Sequence, residues 1–513
     1  MGNESRTANS IRNSSMSAVA QIVSVVLNFI GRTFFIKYLN IDYLGVNGLF
    51  TNILTLLSLA ELGVGTSIVY MMYSPIAKGD TYKVAAFNNL FRKIYNIIGC
   101  FVFTVGLLLI PFLNDIIKDV PNIKENLSII YVLFLANTSI SYFFTYKRSL
   151  LIAHQKDYLN SKNVIKFTII KDIVIVLILL LTRNYYLYLF AQIFITFLSN
   201  WTISRLADKL FPEIVNIKDA KITQDEKKSI FKNTMGMMCH KIGSVVVSGT
   251  DNILISSFVG LSTVGVYSNY QLIQKVALQI ISQGVNAVTA SVGNLVATCD
   301  RTKVFSVYKN LYFLNFTLAY FMAAMFYSLI DSFISIWIGD TFIINEWAML
   351  VIAINLFFNQ IRVPSQVIIN SYGVFWEVKW KSIVEAIVNL SFSLIFTLVF
   401  EWGLTGILLG TIVSNITTNL WWEPYAAFRY GMHQPVILYI RFFIRDCFIF
   451  AITLLLIRVE SKFLSTLIDE NYLFFLFQFI ISFIIAVAIY LLAYYKNEGF
   501  NFLISNFRKT IRI

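Results

Sequence analysis

Residues 472–495 read YLFFLFQFIISFIIAVAIYLLAYY, an apolar run of 24 residues without a charged side chain. A helix needs about 20 such residues to cross the hydrocarbon of a bilayer. Backbone groups in hydrocarbon must be hydrogen-bonded internally, and the short alternating segments of a membrane barrel are absent from the sequence. Thirteen other apolar runs precede this one, with approximate limits 16–36, 44–73, 91–113, 127–146, 163–182, 185–204, 233–259, 264–297, 310–338, 347–372, 382–400, 404–428 and 436–457. The sequence therefore predicts an all-α integral membrane protein with about fourteen transmembrane helices.

The composition of the 513-residue chain points the same way. It is 57% hydrophobic and only 13% charged, with a mean hydropathy of +0.69, whereas soluble domains carry about 25% charged residues. The polar start MGNESRTANSIRNSS lacks the early apolar run and the small-residue cleavage site of a signal peptide, so the first run is expected to remain in the protein. The four cysteines are scattered without metal-site spacing, and no metal is predicted.

The basic residues predict an orientation. With the N-terminus placed in the cytoplasm, 30 of the 41 Lys and Arg fall on the cytoplasmic side, six fall outside and five lie within runs. Such an excess is the positive-inside pattern of multi-pass proteins. It predicts that both termini are cytoplasmic. The net charge of +13 then reflects topology, and no nucleic-acid partner is expected.

The predicted external connections are short, the longest being about 114–126 and 459–471. An enzyme that polymerises or transfers sugars outside the cell would need a larger external segment to build its site. No phosphate-binding loop of the form GxxxxGK(S/T) occurs, so this chain is not expected to use bound ATP. These observations predict a protein that is not an enzyme and has no cofactor.

A weak internal repeat divides the chain into halves. A shift of 220 residues aligns 13–80 with 233–300 without a gap and gives ten identities in 68 positions, among them Gly45-Val46 with Gly265-Val266. An even number of runs separates the repeats, so the halves have the same orientation, as in two-lobed transporters that bind cargo between their lobes. The predicted domains are an N-terminal six-helix lobe, a cytoplasmic linker, a C-terminal six-helix lobe and two appended helices with a tail, at 1–206, 207–230, 231–430 and 431–513.

Several charged residues lie within apolar runs, where they are costly and usually mark function. The cations predicted to face a central cavity and bind substrate are Arg32, Lys241, Lys275 and Arg362. Arg offers a bidentate fork and Lys a point charge, and a cavity with several such cations suits a pyrophosphate. A purely structural role stays open, in which Arg32 pairs with Glu61, Lys241 or Lys275 with Asp251, and Lys171 with Asp172.

The most polar stretch at membrane depth is 359–366, NQIRVPSQ. Pro364 cannot donate a hydrogen bond to the carbonyl of Gln360, so a kink is predicted in this helix. Polar, kinked backbone at this depth is tolerated where it lines a wet cavity. Asn359, Gln360 and Gln366 are therefore candidate polar residues of the cavity.

Residues 32–36 (RTFFI), 43–50 (YLGVNGLF), 57–65 (LSLAELGVG) and 73–75 (YSP) resemble bacterial polysaccharide transporters, the repeat-unit flippases of the multidrug/oligosaccharidyl-lipid/polysaccharide (MOP) exporter superfamily. The segment from 258 to 267, with FVGL and VGVY, echoes this pattern in the second half. Fourteen runs in two parallel halves extend the resemblance over the whole chain.

The resemblance implies a flippase of the bacterial plasma membrane. Its cargo would be an undecaprenyl-pyrophosphate-linked oligosaccharide, moved to the outer leaflet by alternating access for capsule, exopolysaccharide or O-antigen synthesis. Membrane lipid and the polysaccharide polymerase machinery would be its partners. Proton or sodium exchange would drive transport, with Glu61 and Asp251 as the candidates for coupling.

Two other functions on the same fold stay open. A cation-coupled multidrug exporter would normally have an acid in its first run, where this chain has Arg32 instead. A flippase for the peptidoglycan precursor lipid II also moves an anionic cargo, and the sequence alone does not separate it from a polysaccharide flippase.

Overall fold

The computed structural model describes residues 6–61, 64–118, 121–228, 249–298, 300–374 and 376–511. The described chain is helical without a strand, and it divides into two compact units, Met1–Gly265 and Val266–Ile513. In the described residues, helices coincide with thirteen of the predicted runs and with 249–259 of the seventh, the rest of which lies outside the described residues. Eight helical stretches of the described residues are long and apolar enough to cross a membrane, and one of them, Glu346–Tyr372, comprises two consecutive helices. The prediction of an all-α, multi-pass membrane protein is confirmed.

The described part of the first unit consists mainly of seven long helices that follow one another with short connections. They are α1 (Arg6–Tyr38), α2 (Ile41–Leu57), α3 (Val64–Lys78), α4 (Thr81–Leu108), α5 (Leu127–Ala153), α6 (Asp157–Thr182) and α7 (Tyr185–Leu210). Short helical turns occur at Ser58–Glu61, Ile110–Phe112, Leu113–Ile116 and Pro212–Val215, and a π-helical turn occurs at Ile255–Val259. The core of this unit is aromatic, with Phe50, Tyr131 and Tyr185 fully buried.

The second unit begins within the long helix α8 (Leu261–Thr298) and contains nine further helices. They are α9 (Arg301–Ile338), α10 (Glu346–Ile361), α11 (Val363–Tyr372), α12 (Lys381–Leu398), α13 (Gly403–Ser414), α14 (Leu420–Ala426), α15 (Ile437–Leu464), α16 (Asn471–Tyr494) and α17 (Glu498–Ile511). A short turn lies at Asp340–Phe342, and π-helical turns at Asn415–Asn419 and Ala427–Met432 flank α14. The predicted domain limits at 206, 230 and 430 follow the sequence repeat and stay a prediction.

Two glycines mark a close approach of helices within the first unit. A Cβ atom on Gly45 of α2 would lie 2.2 Å from the carbonyl oxygen of Leu261, and one on Gly265 of α8 would lie 2.7 Å from that of Ile41. Positions 41 and 261, like 45 and 265, are related by the 220-residue shift. The contact is therefore reciprocal, as at a local two-fold axis, and it requires glycine because any side chain would meet backbone.

The last two transmembrane helices, α15 and α16, pack against α9 through polar side chains. Every fourth residue of α16 is buried, namely Gln478, Ser482, Ala486, Tyr490 and Tyr494. Ser328 of α9 donates to Ser482 Oγ, and Ser482 donates to Glu460 of α15, at 2.8 and 2.7 Å. Hydrogen bonds of this kind hold helices together where lipid removes the hydrophobic drive for association.

Candidate functional site

Four charged side chains meet in the interior of the second unit. Arg362 donates from Nε and Nη2 to the two carboxylate oxygens of Glu423, at 2.9 and 2.5 Å. Lys381 Nζ lies 2.9 Å from Glu423 Oε1 and 3.1 Å from Glu385 Oε2, and Glu385 Oε1 is 4.0 Å from Arg362 Nη1. No side chain of the four is more than 11% exposed. We call these four residues the ionic cluster.

Irregular helices bring the cluster together. Arg362 occupies the single turn residue between α10 and α11, and Pro364 is the second residue of α11, a position that needs no donor. Lys381 begins α12, so Glu385 stands one helical turn further on. Glu423 lies on α14 between two π-helical turns, a geometry often found at functional sites.

Asparagine amides complete the hydrogen bonding of the cluster. Lys381 donates to Asn419 Oδ1, and Asn419 Nδ2 donates to Glu385 Oε1, both at 2.7 Å. Asn415, which accepts from Asn419 at 2.7 Å, also lies 3.5 Å from Arg362 Nη1. The two cations and two carboxylates therefore compensate each other in charge and share a common amide shell. A bidentate Arg–carboxylate pair is among the strongest ionic contacts in proteins.

The ionic cluster changes how Arg362 is understood. The sequence predicts that its guanidinium contacts cargo, but in the structure both arms of its fork are on Glu423. Cargo contact stays a prediction, and it would require Arg362 to exchange one carboxylate for another anion. Removing one member of a buried ion pair typically costs about 3–5 kcal/mol, because the other charge is left uncompensated.

Three predicted cavity residues lie near Arg362 and differ in surroundings. The amide of Gln366 lies against the Arg362–Glu423 pair. Gln360 is buried and donates to Asn315 of α9 at 2.8 Å, so it joins two helices. Asn359 is exposed. The structure therefore brings only Gln366 to the cluster.

In the first unit, Arg32 and Glu61 have separate surroundings. Arg32 is partly buried on α1 beside Tyr188 of α7. Glu61 ends the turn after α2, and its carboxyl contacts the hydroxyl of Tyr142, with Tyr95 nearby. Among the described residues, no cation is placed beside Glu61. An acid held by hydroxyl groups in this way could take up or release a proton.

The remaining predicted residues divide between buried and exposed positions. Asp251 is buried, and no described residue donates a hydrogen bond to its Oδ1 atom. Lys275 is exposed on α8. Lys171 Nζ lies 3.8 Å from Asp172 Oδ1, the pairing that their adjacency indicates. Lys241 lies outside the described residues.

Sequence reasoning did not single out Lys381 or Glu423. Glu423 falls inside the predicted twelfth run, 404–428, and a charge at that depth was the available signal. Lys381 is the residue just before the eleventh run, where a basic residue fits the cytoplasmic boundary and attracts no attention. The spacing of Lys381 and Glu385 is the only local sign of a pair.

No family model matches the chain, and no curated protein matches it significantly. Solved structures of transporters do share its fold. An inward-facing multidrug resistance MATE family transporter of the MOP superfamily has a TM-score of 0.63 at 13% identity and covers 81% of this chain and 98% of its own. A mutant of the Vibrio cholerae MATE transporter VcmN has a TM-score of 0.59 at 14% identity and covers 84% and 99%. The lipid II flippase MurJ, in an inward closed conformation, has a TM-score of 0.59 at 15% identity and covers 93% and 98%.

These likenesses show that the chain has the fold of MOP-superfamily transporters. They also differ in extent. Residues 1–430 are 430 of 513 residues, or 84% of the chain. The MATE likenesses, at 81% and 84%, fit within that length, whereas the MurJ likeness, at 93%, necessarily includes part of 431–513. Part of 431–513, the region that contains α15 and α16, is therefore shared with the fold of MurJ.

Proposed function

We propose that this protein is a flippase for an undecaprenyl-pyrophosphate-linked oligosaccharide. It moves the saccharide from the cytoplasmic to the outer leaflet of the bacterial plasma membrane by alternating access, with both chain termini in the cytoplasm. The observation that carries the proposal is the MOP-transporter fold that extends, as in the lipid II flippase, beyond residue 430. The resemblance of residues 32–75 to polysaccharide transporters supports the saccharide repeat unit as cargo and the polymerase machinery as a functional partner.

The charges within the membrane also support an anionic cargo. Lys275 is exposed on α8, and Arg32 is only partly buried, so both retain surface that a pyrophosphate could approach. Arg362, the third predicted cation, is held in the charge-compensated ionic cluster, so it would meet cargo only by exchanging Glu423 for the pyrophosphate. A proton or sodium gradient would drive transport. The proposed coupling residues are Glu61, placed beside hydroxyl groups, and the buried Asp251, whose Oδ1 accepts no hydrogen bond from a described residue.

Lipid II is the second candidate cargo, and the likeness to MurJ over 93% of this chain favours it specifically. A multidrug exporter fits less well, since the first run contains Arg32 and no acid. The two candidate cargoes predict different consequences when the gene is deleted. Loss of a lipid II flippase stops wall synthesis, whereas loss of a repeat-unit flippase stops a surface polysaccharide.

Deletion with complementation tests the proposal. The deletion strain should lack a surface polysaccharide and accumulate lipid-linked repeat units in the inner leaflet, and the wild-type chain should restore export. Lys275→Gln should restore less export than Lys303→Gln, a matched loss of one exposed lysine on α9. Normal polysaccharide with altered drug tolerance would refute the proposal, and arrested wall synthesis would favour lipid II.

A further inference from the structure

A cavity lies wholly within the first unit, at the ends of α3 and α4 that face the predicted cytoplasmic side. Its volume is about 430 Å³, and its walls include Tyr70, Tyr73, Ser74, Lys78, Lys83 and Glu226. None of these residues belongs to the ionic cluster or to the predicted central cavity. The first four come from the last turns of α3, Lys83 from the first turn of α4, and Glu226 from the connection that follows α7.

Two tyrosines form the aromatic wall of this cavity. Tyr70 and Tyr73 are 69% and 44% exposed, and their ring centroids lie 6.4 Å apart with the rings at 84°. Exposed tyrosines also form the aromatic belts at membrane interfaces; here Ser74, Lys78 and Lys83 line the same cavity, as in a ligand site with convergent polar groups. The apolar face of a sugar ring packs on such rings, and the tyrosine and Ser74 hydroxyls can bond to sugar hydroxyls.

Lys78 and Lys83 form the cationic wall of the cavity, and a carboxylate of the same unit makes an ion pair with Lys83. Lys83 Nζ lies 2.6 Å from Glu226 Oε1. Among the described residues, Lys78 makes no ion pair. Asp80 accepts from the backbone N–H of Lys83 at 2.9 Å as the cap of α4, and its carboxylate adds a second negative charge beside Lys83.

Glu226 lies on a segment that is hydrogen-bonded to α4. The Asn89 amide donates to the carbonyl oxygens of Ile217 and Lys218, at 2.9 and 3.1 Å, and Ala220 is buried. The backbone N–H of Thr223 donates to Glu226 Oε2 at 2.9 Å. Although partial burial raises the pKa of Glu226, the hydrogen bonds from Lys83 and Thr223 outweigh it and lower the pKa. Glu226 is therefore a carboxylate at neutral pH, and it competes with other anions for Lys83.

We propose that this cavity is the cytoplasmic loading site, where the saccharide pyrophosphate head group binds before translocation. The proximal sugar lies on Tyr70 and Tyr73. The pyrophosphate displaces Glu226 from Lys83 and gains Lys78 as a second cation, while the Asn89 hydrogen bonds keep 217–220 on α4. The identity of the ligand rests on the proposed function, while the cavity and its internal competitor do not.

The charge exchange gives opposite signs for two substitutions. The full chain in neutral-lipid nanodiscs is titrated with a short-chain prenyl pyrophosphate carrying one sugar, and binding is followed by calorimetry. Lys83→Gln should weaken binding about tenfold, the usual value of a charge-assisted hydrogen bond. Glu226→Gln should tighten it several-fold, because the internal competitor is lost. Lys93→Gln, an exposed loss of charge on the same α4, should leave binding unchanged.

A tightening on Glu226→Gln cannot arise from misfolding, so the sign is informative even if Lys83→Gln is unstable. Weaker or unchanged binding in Glu226→Gln would overturn the exchange. Equal weakening in Lys93→Gln would show that only the overall surface charge matters and would overturn the site.

The aromatic wall is tested with two probes. Tyr70→Ala and Tyr73→Ala should weaken binding of the sugar-bearing probe and leave binding of inorganic pyrophosphate unchanged. Tyr82→Ala is the control, since Tyr82 is 56% exposed but lies outside the cavity walls. If anionic phosphatidylglycerol displaces the sugar probe as effectively as unlabelled probe does, the cavity is a lipid headgroup site and the proposal fails.

Transport separates this proposal from the proposed function. Normal flipping of lipid-linked saccharide in Tyr70→Ala and Lys83→Gln would overturn the loading site and leave the function standing. Binding with the expected signs in a protein that flips no saccharide would overturn the function and keep the site.

Discussion

Arg362→Ala is the most informative single substitution, because a structural role and a cargo-binding role for Arg362 predict different losses. In the structure Arg362 is fully engaged with Glu423, and Lys381 bridges Glu423 and Glu385. Without Arg362, two buried carboxylates share one lysine, and one negative charge is uncompensated. A structural role predicts loss of stability, and a cargo role predicts loss of transport alone.

The magnitude follows from the burial of the ionic cluster. Breaking a buried pair from one side costs about 3–5 kcal/mol, a large share of the roughly 5–15 kcal/mol that stabilises a typical protein. Glu423→Gln should cost a similar amount, since it leaves two cations facing one carboxylate. The double variant Arg362→Met/Glu423→Gln restores neutrality with Lys381 and Glu385, so its cost should be clearly smaller than the sum of the single costs.

Membrane abundance and thermal unfolding in detergent measure these costs, and flipping in proteoliposomes measures function. We expect both single variants to be scarce and to unfold at lower temperature, with partial recovery in the double variant. Lys303→Gln, an exposed charge loss on α9, should behave as wild type. Normal abundance and unfolding temperature in Arg362→Ala, together with lost flipping, would refute the structural reading.

Three other substitutions test separate parts of the molecule. Gly45→Ala places a Cβ 2.2 Å from the Leu261 carbonyl oxygen and should lower the free energy of unfolding by about 1–3 kcal/mol. Gly31→Ala is the control, since its Cβ would lie 3.8 Å from the nearest neighbouring atom, and it should unfold at the wild-type temperature. If Gly45→Ala also unfolded at the wild-type temperature, the close approach would be contradicted. Glu61→Gln should keep membrane abundance but abolish the response of transport to a pH gradient, and an unchanged response would exclude Glu61 as the proton-coupling residue. Asp446→Ala removes a buried carboxylate that accepts from Arg445 and Tyr494. The free energy of unfolding should therefore fall by about 1–3 kcal/mol through lost hydrogen bonding, and an unshifted midpoint of thermal unfolding would contradict this.

The sequence predicted the helices well because span length is set by the bilayer and not by tertiary contacts. Apolar runs of about 20 residues need no partner to be recognised, and the described residues of every run contain a helix. Pro364 likewise acts locally, and the helix is interrupted two residues before it. Such features depend on the composition and chemistry of a short segment alone.

The ionic cluster could not be predicted in the same way. Arg362 and Glu423 are 61 residues apart, and their meeting depends on which faces of α10, α11 and α14 turn toward each other. Sequence places a charge at a depth, but the rotation of each helix is set by packing and, here, by irregular turns. Arg362 was therefore recognised as unusual while its partner was missed.

The internal repeat shows how a weak sequence signal can reflect a strong structural constraint. Ten identities in 68 aligned positions are little more than the largely apolar composition of the two segments would give, because many apolar residues serve equally well on a lipid-facing surface. Gly45 and Gly265 are different. Gly45 meets the backbone of Leu261 and Gly265 meets the backbone of Ile41, each at a distance that excludes a side chain. Both pairs of positions, 45 with 265 and 41 with 261, are related by the 220-residue shift. Backbone contact fixes residue type where lipid contact does not. The reciprocal glycine contact is therefore better support for a repeated architecture than the identity count from which the repeat was first inferred.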